Sequence, residues 1–311
     1  MVSVATLGSH CALQVLKGAK DEGLKTILVS EKKRERLYKR FSFIDEVISV
    51  DSFEEVLDKK CVGILERNDA VLIPHGTLIA QMSTRQIESI KTPVFGNKWI
   101  LRWESDRKLK EQLMKESDLN VPQSVPNPKK IKRLVIAKRH GAAGGKGYFL
   151  ASSEKDYVKK RNILVKQGLI KGDQDLYIQE YVMGVLAYLQ YFYSPLNETL
   201  EFFGVDKRHE SDIEGLARIP AQQQLDMDYI SSFNVIGNSP MVLRESLLDE
   251  VYQIGERFVA ASKRLVKPGM NGPFCIEGVY DQDGKFWSFE FSARIVAGTN
   301  IYMEEIGRAH V

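Results

Sequence analysis

Residues 274–294 read FCIEGVYDQDGKFWSFEFSAR, and this stretch decides the fold of the second half of the chain. Apolar and polar residues alternate on both sides of the segment DQDG, which is typical of two antiparallel strands joined by a turn. If Tyr280 pairs with Lys285, Glu277 lies opposite Ser288 and is a diagonal neighbour of Glu290, about 7–8 Å away at Cα. The predicted apolar face of the hairpin consists of Phe274, Ile276, Tyr280, Trp287, Phe289, Phe291, Ala293 and Ile295.

Two acidic side chains on one polar face, Glu277 and Glu290, would suit a shared divalent cation. Carboxylate oxygens are hard ligands that favour Mg²⁺, and Mg²⁺ in turn bridges the phosphates of ATP. The same alternation also fits a hairpin with one buried and one wet face, whose acids are neighbours without a shared ligand. A slip of one residue in the strand pairing would separate the carboxylates. The metal site is therefore a hypothesis that depends on the register.

A glycine-rich segment, residues 141–147 (GAAGGKG), lies between predicted strands over 134–138 and 148–151. Glycines let backbone amides approach phosphate oxygens, and Lys146 adds a positive charge, while Lys138 comes from the preceding strand. A P-loop does not fit because Gly147 follows Lys146, and the dinucleotide pattern G-x-G-x-x-G is absent. The pattern predicts a hairpin lid over nucleotide phosphates. A mobile surface turn beside a solvated basic face (129–139) is the alternative.

The N-terminal part alternates strands with helical patterns. An apolar strand is followed by Gly8, a helical pattern that ends at Gly23, and a second apolar strand, which together indicate a parallel sheet with a right-handed crossover. The predicted strands cover residues 2–7, 26–29, 46–50, 70–74 and 94–95. We interpret residues 1–97 as a Rossmann-like domain.

Composition excludes several classes of protein. The 311 residues carry 44 basic and 41 acidic side chains, and this formal net charge of +3 does not suggest a nucleic-acid coat. Three scattered cysteines without a C-x-x-C pair fit free thiols in a reducing cytosol. No apolar run reaches the roughly 20 residues of a membrane helix, and no signal peptide pattern opens the chain. Residues 306–311 read like a translated sequencing adapter, so we expect an artefact and a missing natural C-terminus.

These features together resemble the ATP-grasp superfamily. The resemblance implies an α/β (α+β) fold, with an N-terminal pre-ATP-grasp domain over 1–97 and an ATP-grasp domain over 98–311 that contains a lid subdomain (about 122–182) and a metal-binding subdomain (about 183–303). It implies Mg²⁺ (or Mn²⁺) at Glu277 and Glu290. Ser292 replaces the asparagine of the usual E-x-N-x-R motif, which puts a second metal ion in doubt and leaves Asn300 as a substitute. The implied ATP contacts are Lys138, Gly141, Gly144, Gly145, Lys146, Gly147, Gln179, Glu180, Tyr181, Val182 and Glu210.

Four further motifs, LGSH (7–10), PHGT (74–77), GNSP (237–240) and SARIVAGTN (292–300), occur in order along nearly the whole chain. They are similar to the archaeal-type, formate-dependent synthetases of formylaminoimidazole carboxamide ribonucleotide, which act in purine biosynthesis. The resemblance implies a cytoplasmic, homo-oligomeric ligase that joins formate to 5-aminoimidazole-4-carboxamide ribonucleotide (AICAR) through formyl phosphate, with ATP consumed and with neither nucleic acid nor membrane as partner. It assigns AICAR to His10, Thr77 and Asn238, and catalysis to Lys138 and Arg294.

Other interpretations stay open at this point. By local pattern alone, His10 and Thr77 also fit helix starts, and Asn238 fits a turn. The chain could be an ATP-grasp paralogue that joins another acid and amine, or a nucleotide-binding protein without turnover. A nucleic-acid binder that uses the basic run 129–139 is disfavoured, because no aromatic residues are interleaved with the charges.

Overall fold

A computed structural model describes residues 2–139, 147–227, 229–230 and 233–300. The side chain of Asn300, the substitute metal ligand expected from the sequence, lies outside this description. The first sheet is parallel, in the order β3-β2-β1-β4. Its strands are β1 (Ser3–Leu7), β2 (Lys25–Glu31), β3 (Glu46–Val50) and β4 (Ala70–Leu72). The helices are α1 (Ala12–Asp21), α2 (Glu35–Tyr38), α3 (Lys59–Arg67), α4 (Gly76–Gln81) and α5 (Thr84–Ser89). The predicted strand at 94–95 is a single bridge between Val94 and Leu72.

The chain leaves this sheet through two consecutive helices, α6 (Ile100–Ser105) and α7 (Arg107–Glu116). A three-stranded antiparallel sheet follows, in the order β6-β5-β7. It contains β5 (Val135–Arg139), β6 (Phe149–Ala151) and β7 (Leu176–Glu180), and α8 (Glu154–Lys166) packs on it. Tyr157 of α8 and Phe149 of β6 are fully buried in the core between them.

The largest sheet has five antiparallel strands in the order β10-β9-β8-β11-β12. The strands are β8 (Val185–Ser194), β9 (Thr199–Glu210), β10 (Val235–Met241), β11 (Gly272–Tyr280) and β12 (Phe286–Ser292). Two short helices, α9 (Ser211–Leu216) and α10 (Ala221–Asp226), precede β10, and α11 (Leu248–Leu265) precedes β11. Helices α7 and α11 contact each other and the sheet, and bury one of its faces in the main apolar core. The opposite face of the five-stranded sheet lines the cavity described below.

The terminal hairpin forms, but its predicted register is wrong. Tyr280 pairs with Phe286 and not with Lys285, because the turn is one residue longer than expected, and a β-bulge at Phe289 shifts the pairing by one more residue. The two shifts add to two residues and so return the side chains beyond the bulge to their predicted faces. Glu277 therefore lies directly opposite Glu290, closer than the diagonal arrangement that we expected.

The bulge also changes the predicted apolar face. Phe291 and Ala293 lie in the main core as expected, but Phe286 takes the core position that was predicted for Trp287. Trp287 and Phe289 instead line the opposite side of the hairpin, where the acidic pair lies. Alternation of residue types does not reveal a bulge, since the extra residue is defined only by its pairing across the strands.

Strand β10 (Val235–Met241) was missed, because its sequence VIGNSPM carries turn-forming residues. It tolerates proline since β10 is the edge strand of the sheet, beside β9. Within the described ranges, none of the helices is both long and apolar enough to cross a membrane.

Candidate active site

A cavity of about 500 Å³ lies where the three sheets meet. Its walls include residues from the ends of β1, β5 and β7, from β9 and β10, and from the terminal hairpin. The sequence-predicted site residues on these walls are His10, Lys138, Gln179, Glu180, Tyr181, Val182, Glu210, Asn238, Glu277, Glu290 and Arg294. Gly141, Gly144, Gly145 and Lys146 lie outside the described residues.

The two acidic residues of the hairpin lie side by side in this cavity, each held by a cation from another element. Arg208 of β9 forms a bidentate pair with Glu277, with Nη1–Oε2 and Nη2–Oε1 distances of 2.9 and 2.8 Å. Ser292 donates to Glu277 Oε1 at 3.0 Å. Lys110 of α7 donates to Glu290 Oε1. The hydroxyl of Ser292 thus orients one acid where the superfamily motif has an asparagine.

Nearby positive charges keep Glu290 ionised. Burial raises the pKa of Glu290, but the charges of Lys110 and Arg107 outweigh burial and lower this pKa to about 2. Both side chains belong to α7, which has one buried and one exposed face. Lys110 is itself only 6% exposed, at a position that shares the helix face of Leu113 and Met114.

Lys138 brings a buried ammonium group to the wall of the cavity. It donates to Gln179 Oε1 at 3.3 Å and lies 4.6 Å from the centre of the Phe289 ring. Burial lowers the pKa of Lys138 to about 8, although Glu290 acts in the opposite direction. Gln179 in turn donates to the Pro122 carbonyl at 3.1 Å. The side chain of Gln179 therefore positions the lysine.

The segment Glu180–Val182 leaves β7 along the cavity wall. The N–H groups of Glu180 and Tyr181 are already bound to the carbonyls of Gln123 and Leu134, both at 2.9 Å. Within the described ranges, the N–H of Val182 makes no backbone hydrogen bond of this kind. A planar base would find a donor at Val182 here, which is the arrangement expected of an adenine hinge.

His10 and His75 occupy the end of the parallel sheet, with ring centres 6.2 Å apart. His75 is bound at both nitrogens, to the Leu7 carbonyl at 2.9 Å and to the Thr77 N–H at 3.3 Å, and burial lowers its pKa to about 3. His10 adopts φ = 50° in the turn before α1, which turns its ring toward the cavity wall at Gly76. Burial, together with the positive charges of Arg294 and Arg208, lowers the pKa of His10 and so favours the neutral ring.

Thr77 does not line the cavity, where Gly76 takes its place. Its hydroxyl is nevertheless buried, with no hydrogen-bond partner among the residues that the structure describes. Gly147 has φ = 79° beside Arg139 at the described edge of the glycine-rich segment. Glu210 ends β9 on the opposite wall, and burial raises its pKa to about 7.

Arg208, Lys110 and Glu104 were not predicted from the sequence. Arg208 could have been found from β9, where Asp206, Arg208 and Glu210 place three charges on one face at a spacing of two residues. Lys110 and Glu104 gave weaker signals, as charged residues at buried helical positions. Their partners are about 180 residues further along the chain, and no local pattern contains such a pairing.

Two family descriptions match the chain: "Protein of unknown function (DUF1246)" over residues 4–125, and "Domain of unknown function (DUF1297)" over residues 156–310. A 5-formaminoimidazole-4-carboxamide-1-(beta)-D-ribofuranosyl 5'-monophosphate synthetase from Nitrosopumilus maritimus is 72% identical over 304 residues, which cover 98% of this chain and 89% of the relative. The chain belongs to this synthetase family. The Methanocaldococcus jannaschii synthetase of the same name is 44% identical, over 97% of this chain and 84% of its own length.

Solved structures give the same result for the fold. The IMP biosynthesis protein PurP from Thermococcus kodakaraensis superposes with a TM-score of 0.76 and 28% identity, over 96% of this chain and 87% of that chain. An N5-carboxyaminoimidazole synthetase from Staphylococcus aureus, complexed with ADP, has a TM-score of 0.66 and 15% identity, over 98% and 73% of the two chains. The second likeness concerns the fold alone. The predicted α/β architecture and the predicted family are confirmed.

Proposed function

We propose that the protein is an ATP- and formate-dependent ligase that forms a C–N bond between formate and the amino group of AICAR. The observation that carries this proposal is the directly paired Glu277 and Glu290, in one cavity with Lys138, Arg294, His10 and Asn238. Membership of the synthetase family supports the same substrates. The division into domains and the roles of individual residues are parts of this proposal.

The chemistry follows from the reactants. Formate is a poor electrophile, so its oxygen first takes the γ-phosphoryl group of ATP, which gives formyl phosphate and ADP. The amino group of AICAR then attacks the formyl carbon, the C–O bond to phosphate breaks, and the nitrogen loses a proton. Protein groups contribute mainly by positioning and by compensating charge. Lys138 and Arg294 would face the transferring phosphoryl group, and the Val182 N–H and Glu210 would hold adenine and ribose.

The two glutamates fit a Mg²⁺ site of the kind that is completed by phosphates. In the described part of the chain, no group of three or more His, Cys, Asp or Glu side chains is placed to hold a metal ion. Mg²⁺ in nucleotide enzymes often takes one or two carboxylates together with phosphates and water, so a pair suffices. Lys110 binds one carboxylate oxygen of Glu290, and the second oxygen would be the ligand of the metal ion. When bound, the ion would supply neutralisation of phosphate charge at Glu277 and Glu290.

We also propose a cytosolic, homo-oligomeric protein whose partners are small molecules. Cys11, Cys61 and Cys275 are all free and buried, which agrees with a reducing compartment. Gel filtration with light scattering would measure the assembly, and a monomeric mass would refute the oligomeric part.

The test is ADP formation measured with ATP, Mg²⁺, formate and AICAR together, and with each of them omitted. We expect ADP only when both formate and AICAR are present, and a product heavier than AICAR by one CO unit. If acetate or another acid supports turnover and formate does not, the protein is a paralogue with another substrate. If no combination yields ADP although ATP binds, the protein binds nucleotide without turnover.

A further inference from the structure

A chain of hydrogen bonds runs through buried side chains from the turn after β12 to the cavity wall. The Val296 N–H donates to Thr299 Oγ1, and the Thr299 hydroxyl donates to Gln190 Oε1, both at 3.1 Å. Gln190 Nε2 donates to Asp206 Oδ1 at 2.6 Å. Asn238 Nδ2 donates to Asp206 Oδ2 at 2.5 Å. Gln190 and Asp206 are fully buried, so water does not compete for these bonds.

Asp206 gives this chain its direction. A carboxylate only accepts hydrogen bonds, so the amides of Gln190 and Asn238 must both turn their NH₂ groups toward it. If the Asn238 amide were rotated by half a turn, two oxygens would meet at a hydrogen-bonding distance and repel each other. The carbonyl Oδ1 of Asn238 is therefore left as an acceptor, and from the described residues no hydrogen bond to it is seen. Asn238 itself lines the cavity.

Packing prevents Asp206 from releasing Asn238. A Cβ atom built on Gly298 would lie 2.1 Å from Asp206 Oδ1, so the backbone of the turn after β12 presses directly against the carboxylate. Side chains in such a close-packed site keep one rotamer. The orientation of the Asn238 amide is thus built into the fold before any ligand binds.

We propose that Asp206 is a positioning residue, which holds Asn238 so that its carbonyl oxygen accepts a hydrogen bond from the imidazole nucleotide. The inference rests on the proposed function. Formate and ionised phosphates offer only acceptors, so this oxygen does not serve them. The amino and carboxamide groups of the imidazole offer N–H donors. An acceptor fixed in this place selects a donor and disfavours a nucleotide that carries a carboxylate there.

The test exchanges the two side chains. In Asp206→Asn, the new amide donates to residue 238, so the Asn238 amide must rotate and show its NH₂ group to the cavity. In Asn238→Asp, two carboxylates meet and repel. In the double exchange, Asn at 206 donates to one oxygen of Asp at 238, and the other oxygen faces the cavity as an acceptor again. The double exchange conserves both the number of atoms and the net charge of the pair.

AICAR binding by calorimetry and the KM values for AICAR and ATP are measured for all four proteins, with thermal unfolding as a check of folding. We expect each single variant to weaken AICAR binding about 10–100-fold, since a buried polar group then faces the wrong partner. The KM for ATP should stay within about twofold. The double exchange should recover most of the loss, which a merely structural role of Asp206 would not produce.

Three results would overturn the inference: single variants that bind AICAR as well as the wild type, a double exchange no better than the singles, or equal losses for ATP and AICAR. If Asp206→Asn does not fold, Asn238→Ala and the double exchange still decide, because Asn238→Ala removes the acceptor without presenting an NH₂ group to the cavity. A wild type that binds AICAR but forms no formyl product refutes the proposed function. The exchange then still tests whether Asp206 positions Asn238. A wild type that does not bind AICAR refutes both.

Discussion

Arg294 Nη2 lies 2.8 Å from Glu104 Oε1, and only 10% and 4% of the two side chains is exposed. The other oxygen of Glu104 accepts the Ala293 N–H at 2.9 Å. An acid from α6 thus binds the arginine that is proposed for catalysis. Within the described ranges, Arg294 Nε has no hydrogen-bond partner, so this N–H group can donate to a ligand at the site.

Glu104→Gln should lower both stability and turnover. Loss of one partner of a buried ion pair typically costs about 3–5 kcal/mol, because the other charge is left uncompensated. We expect a loss of about 3 kcal/mol in the free energy of unfolding by urea, together with a fall in kcat for ADP formation. The matched control is Glu88→Gln, which breaks a pair with the half-exposed Arg102 and should cost less than about 1 kcal/mol. Equal effects of the two substitutions would contradict the role given to Glu104.

Glu290→Gln should reduce ADP formation by about 100-fold or more, since it removes charge that helps to hold the phosphate-bound cation. It also leaves Lys110 unpaired, so some loss of stability is expected. The double variant Glu290→Gln with Lys110→Met should recover stability and not activity. In the wild type, added Mg²⁺ should increase the stabilisation of the protein by ADP, as measured by thermal unfolding. This increase should be lost in both variants. Unchanged activity in Glu290→Gln would refute the metal role.

His75 should make the protein sensitive to acid. Burial lowers its pKa to about 3 in the folded protein, against about 6.5 when unfolded, so the unfolded chain binds the extra proton between these values. Stability therefore falls as the pH drops from about 6.5 toward 3, with a contribution of up to about 1.4 kcal/mol per pH unit. Urea unfolding between pH 4.5 and 7 should show a shallower slope for His75→Asn than for the wild type. Identical slopes would show that His75 does not contribute to the pH dependence of stability.

Gly298→Ala should disturb Asp206 without straining the backbone of the turn. The added Cβ would collide with the Asp206 carboxylate, and overpacking of this kind costs about 1–3 kcal/mol. We expect a raised KM for AICAR with an almost unchanged KM for ATP. Gly18→Ala in α1 is the control, because its Cβ meets nothing within 4 Å and alanine favours a helix. A KM for AICAR equal to that of the wild type would argue against coupling through Asp206.

Elements with a clear hydrophobic period were predictable from the sequence. Strand β3 and the two strands that flank the glycine-rich segment were placed within one or two residues. Such elements bury a regular face, so the pattern along the chain contains the information. Strand β10 was lost because its residues prefer turns, and pairing with β9 overrides that preference.

The site was only partly predictable. Charged residues in strands or glycine-rich segments drew attention to Lys138, Glu277 and Glu290, and the structure places all three on one cavity. The partners that hold them, such as Arg208 and Lys110, come from distant segments. Their pairing is a product of tertiary packing, and a local pattern shows at most that a charge lies at a buried position.

The bulge at Phe289 separates the tip of the terminal hairpin from its base. Because the residue at the bulge is unpaired, the tip of β12 and its base each pair with β11 in a regular register of their own. Changes of length at the tip can be absorbed there without moving the acids. If β12 ran through residue 289 without the bulge, Phe289 would pair with Glu277, and Glu290 would pair with Ile276 on the core side of the sheet. The bulge thus lets two consecutive residues, Phe289 and Glu290, both face the cavity.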